Sequence, residues 1–221
     1  MKTSCYYPSM SLKNIIHLVV GPIATNCWIT VSGDDIVSVI DPGDEADAII
    51  SELKKDSLIP KYILLTHGHF DHIAAVPSLA AAFDPKPQIA IHRLDSQYLG
   101  PGAYETQILS AKAALGDTSF IDSSWQNMPE ADILLEEGSQ IDAFTVLHLP
   151  GHTQGSAAFL DKEAGALFTG DTLFKNGYGR TDLPGGSKES LIKSVDRLFK
   201  MDPDTAVFPG HDGTTTIGLE C

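Results

Sequence analysis

The feature that most constrains this chain is the run Thr66-His67-Gly68-His69-Phe70-Asp71-His72, delivered directly by the apolar segment at 61–65. Imidazole and carboxylate are the ligand types that zinc, iron and manganese accept. In an extended segment alternate side chains share a face, so His67, His69 and Asp71 are expected to converge. His72 breaks that alternation, and a helix beginning there would aim it elsewhere. Gly68 is the small residue that lets the backbone bend between two ligands. A lone histidine is ordinarily a satisfied core or surface side chain. Four such groups behind one apolar strand have no comparable structural purpose.

Three later motifs enlarge the site. Pro150-Gly151-His152-Thr153-Gln154-Gly155-Ser156, Thr169-Gly170-Asp171-Thr172 and Pro209-Gly210-His211-Asp212-Gly213 each follow a strand-like run. Each places one potential ligand at a strand end, beside glycine. Singly, each reads as a turn. Together with the first cluster they supply five histidines and two aspartates, which divide naturally into two neighbouring sites sharing one carboxylate. Such sharing suits a pair of cations about 3.5–4 Å apart.

Around these motifs the sequence reads as strands in two batches. Period-2 and short apolar runs predict strands at 17–20, 26–31, 36–40, 61–65 and 88–92, with the turn Ser32-Gly33-Asp34-Asp35 between the second and third. A second batch is expected at 133–135, 144–149, 157–160, 166–169 and 206–208. Helices are expected at 46–55, 73–83 and 106–115, and at 188–200 with Ser187 as its cap. Residues 93–130 are irregular, and a stretch this long is expected to be a lid or a packed insertion. Residues 1–13 read as a poorly specified leader. The pattern implies one domain over 1–221, with two β-layers and helices outside them.

Composition narrows the function. The chain carries 15 basic and 29 acidic residues, a formal charge of −14, and such a surface repels phosphate backbones. A nucleic-acid substrate is therefore disfavoured. No run reaches the roughly 18 apolar residues of a membrane span, and the start lacks the layout of a signal peptide. Cys5, Cys27 and Cys221 show no disulfide or CxxC spacing. A cytoplasmic enzyme with no nucleic-acid or membrane partner is the expectation, and oligomeric state stays open.

THGHFDH, LPGHTQGS, FTGDTLF and FPGHDG, in that order and spacing, resemble the metallo-β-lactamase superfamily. The resemblance implies an α/β (α+β) fold: an αββα sandwich of two mixed β-sheets flanked by helices. It implies that His67, His69 and His152 hold a first metal and Asp71, His72 and His211 a second, with Asp171 bridging. Two divalent ions are implied, zinc first, with iron or manganese as alternatives. Asp41, in Ile40-Asp41-Pro42-Gly43, matches a family position that supports the ligands. The segments at 21–30, 179–182 and 214–218 are similar to glyoxalase II-like hydroxyacylglutathione hydrolases of the short, single-domain kind.

That subgroup implies a small-molecule thioester substrate of the S-lactoylglutathione type, cleaved by a hydroxide bridging the metals, with Asp71 as an orienting base. Tyr178 and Arg180 fall where relatives place substrate-side groups; Arg180 is expected to pair with a substrate carboxylate or with Asp182. Persulfide dioxygenases share these motifs but use one iron, so a mononuclear-iron oxidoreductase is the first alternative, and hydrolysis of other small esters the second. His17, His92 and His148 lie outside the motifs and are read as structural.

Overall fold

A computed structural model describes residues 14–33 and 35–221. The expected leader, Cys5 and Asp34 lie outside the described residues. In chain order the elements begin with strands β1 (Asn14–Val20), β2 (Thr25–Gly33) and β3 (Ile36–Ile40), helix α1 (Ala46–Lys55) and strand β4 (Ile59–Leu65). Helices α2 (Phe70–Ile73) and α3 (Val76–Ala81), strand β5 (Gln88–His92), a 3₁₀ turn at Arg93–Tyr98, and helices α4 (Ala103–Leu115) and α5 (Ser119–Ser124) follow. Next come strands β6 (Ile133–Leu135), β7 (Gln140–Ile141), β8 (Phe144–His148), β9 (Ala157–Asp161) and β10 (Ala166–Gly170). The hairpin β11 (Leu173–Phe174) and β12 (Gly177–Tyr178), helix α6 (Lys188–Leu198), strands β13 (Ala206–Pro209) and β14 (Thr215–Thr216), and helix α7 (Ile217–Glu220) complete the chain.

Two six-stranded mixed sheets result, in the orders β1-β2-β3-β4-β5-β6 and β14-β13-β10-β9-β8-β7. In the first, β3 to β6 run parallel; in the second, only β10 and β13 do. Side-chain alternation sorts the strand residues onto two faces. Leu64 of β4 faces the second sheet, where Trp28, Ile40, Phe144, Phe159 and Phe168 close the inner core. Ile63 and Leu65 point the other way, against Ile49 and Leu53 of α1 and Leu79 of α3. On the far face of the second sheet Leu160, Leu167 and Val207 bury Leu198 of α6 and Ile217 of α7. Four layers, helix–sheet–sheet–helix, follow from this sorting, as expected.

Details differ from the sequence reading for identifiable reasons. The strand at 133–135 belongs to the first sheet, paired parallel with β5, not to the second batch; edge position cannot be read from three residues. The helix expected at 73–83 is broken into α2 and α3, and it starts at Phe70. β2 runs on through Ser32 and Gly33, where a turn was expected, and a bulge at Val31/Gly33 absorbs the irregularity. Ser187 does cap α6, its hydroxyl accepting from the Ser190 N–H at 3.3 Å. Residues 93–130 form a packed helical insertion: Tyr98, Ala103, Ala111, Ile121 and Met128 are buried in the outer core of the first sheet.

Candidate metal centre

Strand ends build the site. β8, β10 and β13 point the same way, because β8 and β10 both run antiparallel to β9 and β13 parallels β10. The loops bearing His152, Asp171 and His211 therefore leave one rim of the second sheet. The end of β4 meets them there: the Ala157 N–H donates to the Thr66 carbonyl at 2.8 Å, and the Asn26 N–H donates to the Gly210 carbonyl at 2.7 Å. Asn26 also donates its side-chain amide to the carbonyls of Pro209 and Asp212, and Trp28 Nε1 donates to the Pro209 carbonyl. The loop carrying His211 is thus tied to the first sheet.

All seven residues singled out from the sequence come together there. They form three overlapping groups whose ligand atoms lie within 4.8 Å of one another: His67, His69 and His152; His67, His72 and Asp171; and Asp71, His72 and His211. This grouping corrects the expectation that His67, His69 and Asp71 share a face. The chain leaves the extended conformation after His69, and α2 carries Asp71 and His72 together toward His211, while the His72 ring stays 4.2 Å from that of His67.

The second nitrogens fix the tautomers. Asp41, fully buried, accepts from the Thr66 N–H at 2.8 Å with one oxygen; the other accepts from the Thr66 hydroxyl at 2.6 Å and from His72 Nδ1 at 3.0 Å. With its proton given to Asp41, the Thr66 hydroxyl can accept from His67 Nδ1 at 3.2 Å. His152 Nδ1 donates to the Arg180 carbonyl at 2.8 Å. In its neutral, metal-binding form each of these three rings therefore has its lone pair on Nε2, turned into the cluster. Outer partners of this kind set ligand orientation at metal sites generally.

Glycines let the loops close. A Cβ on Gly210 would stand 2.3 Å from Asp171 Oδ1 and 2.7 Å from His72, and one on Gly170, at φ +48°, would meet the Thr66 hydroxyl at 2.2 Å. Neither position accommodates a side chain.

The donor set fits cations. Metal–nitrogen bonds of 2.0–2.1 Å place tetrahedral donors about 3.3 Å apart. Here His69 Nδ1 and His152 Nε2 are 2.9 Å apart, and His72 Nε2 lies 3.4 Å from His211 Nε2 and 3.2 Å from Asp71 Oδ2. Asp171 spans the groups, with Oδ1 3.4 Å from His72 Nε2 and Oδ2 3.5 Å from His152 Nε2 and 3.6 Å from His211 Nε2. His67 Nε2, His69 Nε2 and Asp171 Oδ1 are buried without a hydrogen-bond partner, a costly state that a cation relieves for inward-facing atoms. Burial, with His152 and other ring neighbours, holds His67 below the usual imidazole range and lowers His69 to about 3. Burial would raise the two carboxylic acids, but His72 and its neighbours outweigh it and hold Asp71 and Asp171 well below the usual range. Neutral imidazoles and ionised carboxylates are the forms that bind metal. At His72 and His211 burial is outweighed by Asp71 and Asp171, which hold these imidazoles above the usual range, so a cation there displaces a proton.

Asp95 escaped the sequence reading. It is fully buried in the 3₁₀ turn after β5 and accepts from the Gly68 N–H at 3.1 Å, the Gly155 N–H at 2.7 Å and the Thr153 hydroxyl at 2.7 Å. One carboxylate thereby staples the His67–His69 segment to the His152 loop. The available signal was its place just past the end of β5, a strand parallel to β4. Of the two proposed substrate-side residues, Arg180 spends its guanidinium on Asp182 at 2.7 and 2.8 Å, and Tyr178 is 60% exposed. His17 stacks on Trp28 at 4.1 Å and bonds Asn26, and His92 stacks on His148 at 4.1 Å; all three serve packing.

A family profile described as the metallo-beta-lactamase superfamily matches residues 20–211. The chain belongs to that superfamily. Among curated relatives, the hydroxyacylglutathione hydrolase GloC of Haemophilus influenzae is 34% identical over 215 residues, covering 94% of each chain. Among solved structures, a di-iron-bound form of TTHA1623 is 39% identical with a TM-score of 0.77, covering 92% of this chain and 96% of that one. The BLEG-1 B3 metallo-beta-lactamase is 33% identical with a TM-score of 0.81, covering 93% and 95%. Membership makes the chain a metal-dependent hydrolase of the superfamily's αββα fold. Among the described residues, no helix is long and apolar enough to cross a membrane.

Proposed function

We propose that this metallo-β-lactamase-superfamily protein is a binuclear hydrolase of small-molecule thioesters. The observation that carries the reading is the second donor group, Asp71, His72 and His211, beside the three-histidine group. One-iron persulfide dioxygenases share these motifs, so the number of ions held is what separates the two readings, and two are expected here. In this reading His67, His69 and His152 hold one ion, Asp71, His72 and His211 the other, and Asp171 serves both. Zinc fits this nitrogen- and oxygen-rich set, and the di-iron form of TTHA1623 makes iron the competing metal.

Bound ions of this kind lower the pKa of water from about 15.7 toward 7 and polarise a carbonyl oxygen. The remaining steps fall to the chain. Asp71 is held ionised and takes a hydrogen bond from the Thr25 hydroxyl at 3.2 Å. A carboxylate this acidic orients the attacking water more than it deprotonates it. Asp41 holds His72 in register, and Asp95 holds the His67–His69 and His152 loops at fixed separation.

Leaving-group chemistry favours a thioester. The cavity above the cluster is lined by no Lys, Tyr or Cys among the described residues, so an alkoxide or amine would find no such proton donor. A thiolate, whose conjugate acid has a pKa near 8.5, departs without one. The likeness to GloC points the same way. The test sets S-lactoylglutathione hydrolysis without oxygen against O2 uptake with glutathione persulfide. Thioester cleavage with no O2 uptake is expected; O2 uptake with one iron per chain would overturn the proposal.

A further inference from the structure

The cavity above the cluster has a volume of about 1030 Å³, at the upper end for a small-ligand site, and far more than a three-carbon acyl group fills. One side is the metal cluster. The helical insertion also lines the cavity, through Ala111 and Leu115 of α4 and Phe120 and Ile121 of α5, as does Ile23. Leu115 and Ile23 are 62% and 55% exposed, although each belongs to a concave, apolar lining.

Several polar groups of this wall are engaged by other protein atoms, although Gln107 Oε1 is buried without a partner. Ser123 and Ser124 donate their hydroxyls to the Phe120 carbonyl. Gln107 and Ser110 are buried, and Gln107 donates its amide to the Gly68 carbonyl. Charge argues in the same direction. Arg180 is the one Lys or Arg among the described lining residues, and Asp182 occupies it. Asp44 and Asp117 stand on the lining as well, and the hydrogen bonds of Ser119 and Thr118 to Asp117 keep it ionised. A substrate arm bearing carboxylates would meet these acids, and Arg180 would have to leave Asp182 to receive it.

From these observations we infer that the site takes thioesters carrying an uncharged apolar group, which lies on the wall formed by α4, α5 and Ile23. The inference rests on the thioesterase reading and refines which thioester is cleaved. The apolar group can belong to the acyl or to the thiol half, and a short substrate series separates the two.

The experiment compares ethyl thioacetate with ethyl thiohexanoate and with hexyl thioacetate on the metal-loaded protein. Each methylene that leaves water is worth about threefold to fourfold in binding, so partial burial of four predicts at least about a tenfold gain in kcat/KM. A gain with ethyl thiohexanoate assigns the wall to the acyl group, and one with hexyl thioacetate assigns it to the thiol. Leu115→Asp and Ile23→Asp, at exposed positions that leave the core intact, are expected to cut that ratio severalfold. Because the ratio is read within each variant, loss of active protein cancels. Ratios near one in the wild type, or ratios untouched by both variants, would overturn the inference. Calorimetric binding of hexanoate against acetate reads the wall independently of turnover. Tighter hexanoate binding with no cleavage of any thioester would refute the proposed reaction and keep the apolar site; equal binding would refute the site.

Discussion

Asp95→Ala tests whether one buried carboxylate sets the spacing of the three-histidine group. The change removes the acceptor of the Gly68 and Gly155 N–H groups, in a place where a Cβ on Gly155 would already touch the Asp95 side chain at 2.6 Å. Leaving a buried donor unsatisfied costs about 1–3 kcal/mol. The Thr153 hydroxyl keeps Ser156 as a neighbour at 2.8 Å, so two amides, not three groups, are orphaned. Relief from burying a charge offsets part of this, since burial pushes the Asp95 carboxyl above its ordinary range. A net loss of about 2–5 kcal/mol follows, or roughly 5–15 °C in Tm for a chain of this size. Urea unfolding of metal-free protein measures it. Zinc titration should in addition show affinity at the three-histidine group weakened about 10–100-fold, the usual effect of removing an outer partner. Asp95→Asn keeps the shape but opposes one N–H with its own amide hydrogens, so it should fall between. An Asp95→Ala protein with wild-type Tm and wild-type metal affinity would refute the reasoning.

Three further outcomes follow from the same geometry. Gly210→Ala should cost most of the hydrolytic activity and one metal equivalent while the chain stays folded, because the new methyl group displaces Asp171 and His72; elemental analysis and circular dichroism check this. His92, lowered to about 4 by burial, His148 and Arg93, binds its proton more readily unfolded than folded. Its contribution is therefore intact above about pH 6.5 and lost as pH falls toward 4; His92→Gln should flatten the acid limb of stability, read as a smaller difference between urea midpoints at the two ends of that window. Arg180→Ala removes an exposed pair with Asp182 and should leave the Tm unchanged, since such pairs contribute little, while a raised KM for anionic thioesters alone would show that the guanidinium swings to substrate.

How much of this was legible in the sequence depends on the kind of information. Ligand identity was, because each donor sits in a short motif at the end of an apolar strand; His67, His69, Asp71, His72, His152, Asp171 and His211 all reach one rim. The layering was too, since alternation in β4 and its neighbours carries it. Grouping was not. It turns on where the chain changes from extended to helical, and that switch at Phe70 moved Asp71 from the first donor group to the second. Partners acting across the fold were least visible. Asp95 meets Gly155 at a separation of 60 residues, and its place just past the end of β5 is the one signal its local sequence offers. Strand order is equally non-local, which is why β6 joined the first sheet.

Metal content bears most directly on the central claim. After reconstitution and removal of loosely bound ions, the wild type should carry two divalent ions per chain, and His69→Ala and His211→Ala should each carry about one and lose thioester hydrolysis while remaining folded. One ion per chain in the wild type, or full hydrolysis by His69→Ala, would contradict it.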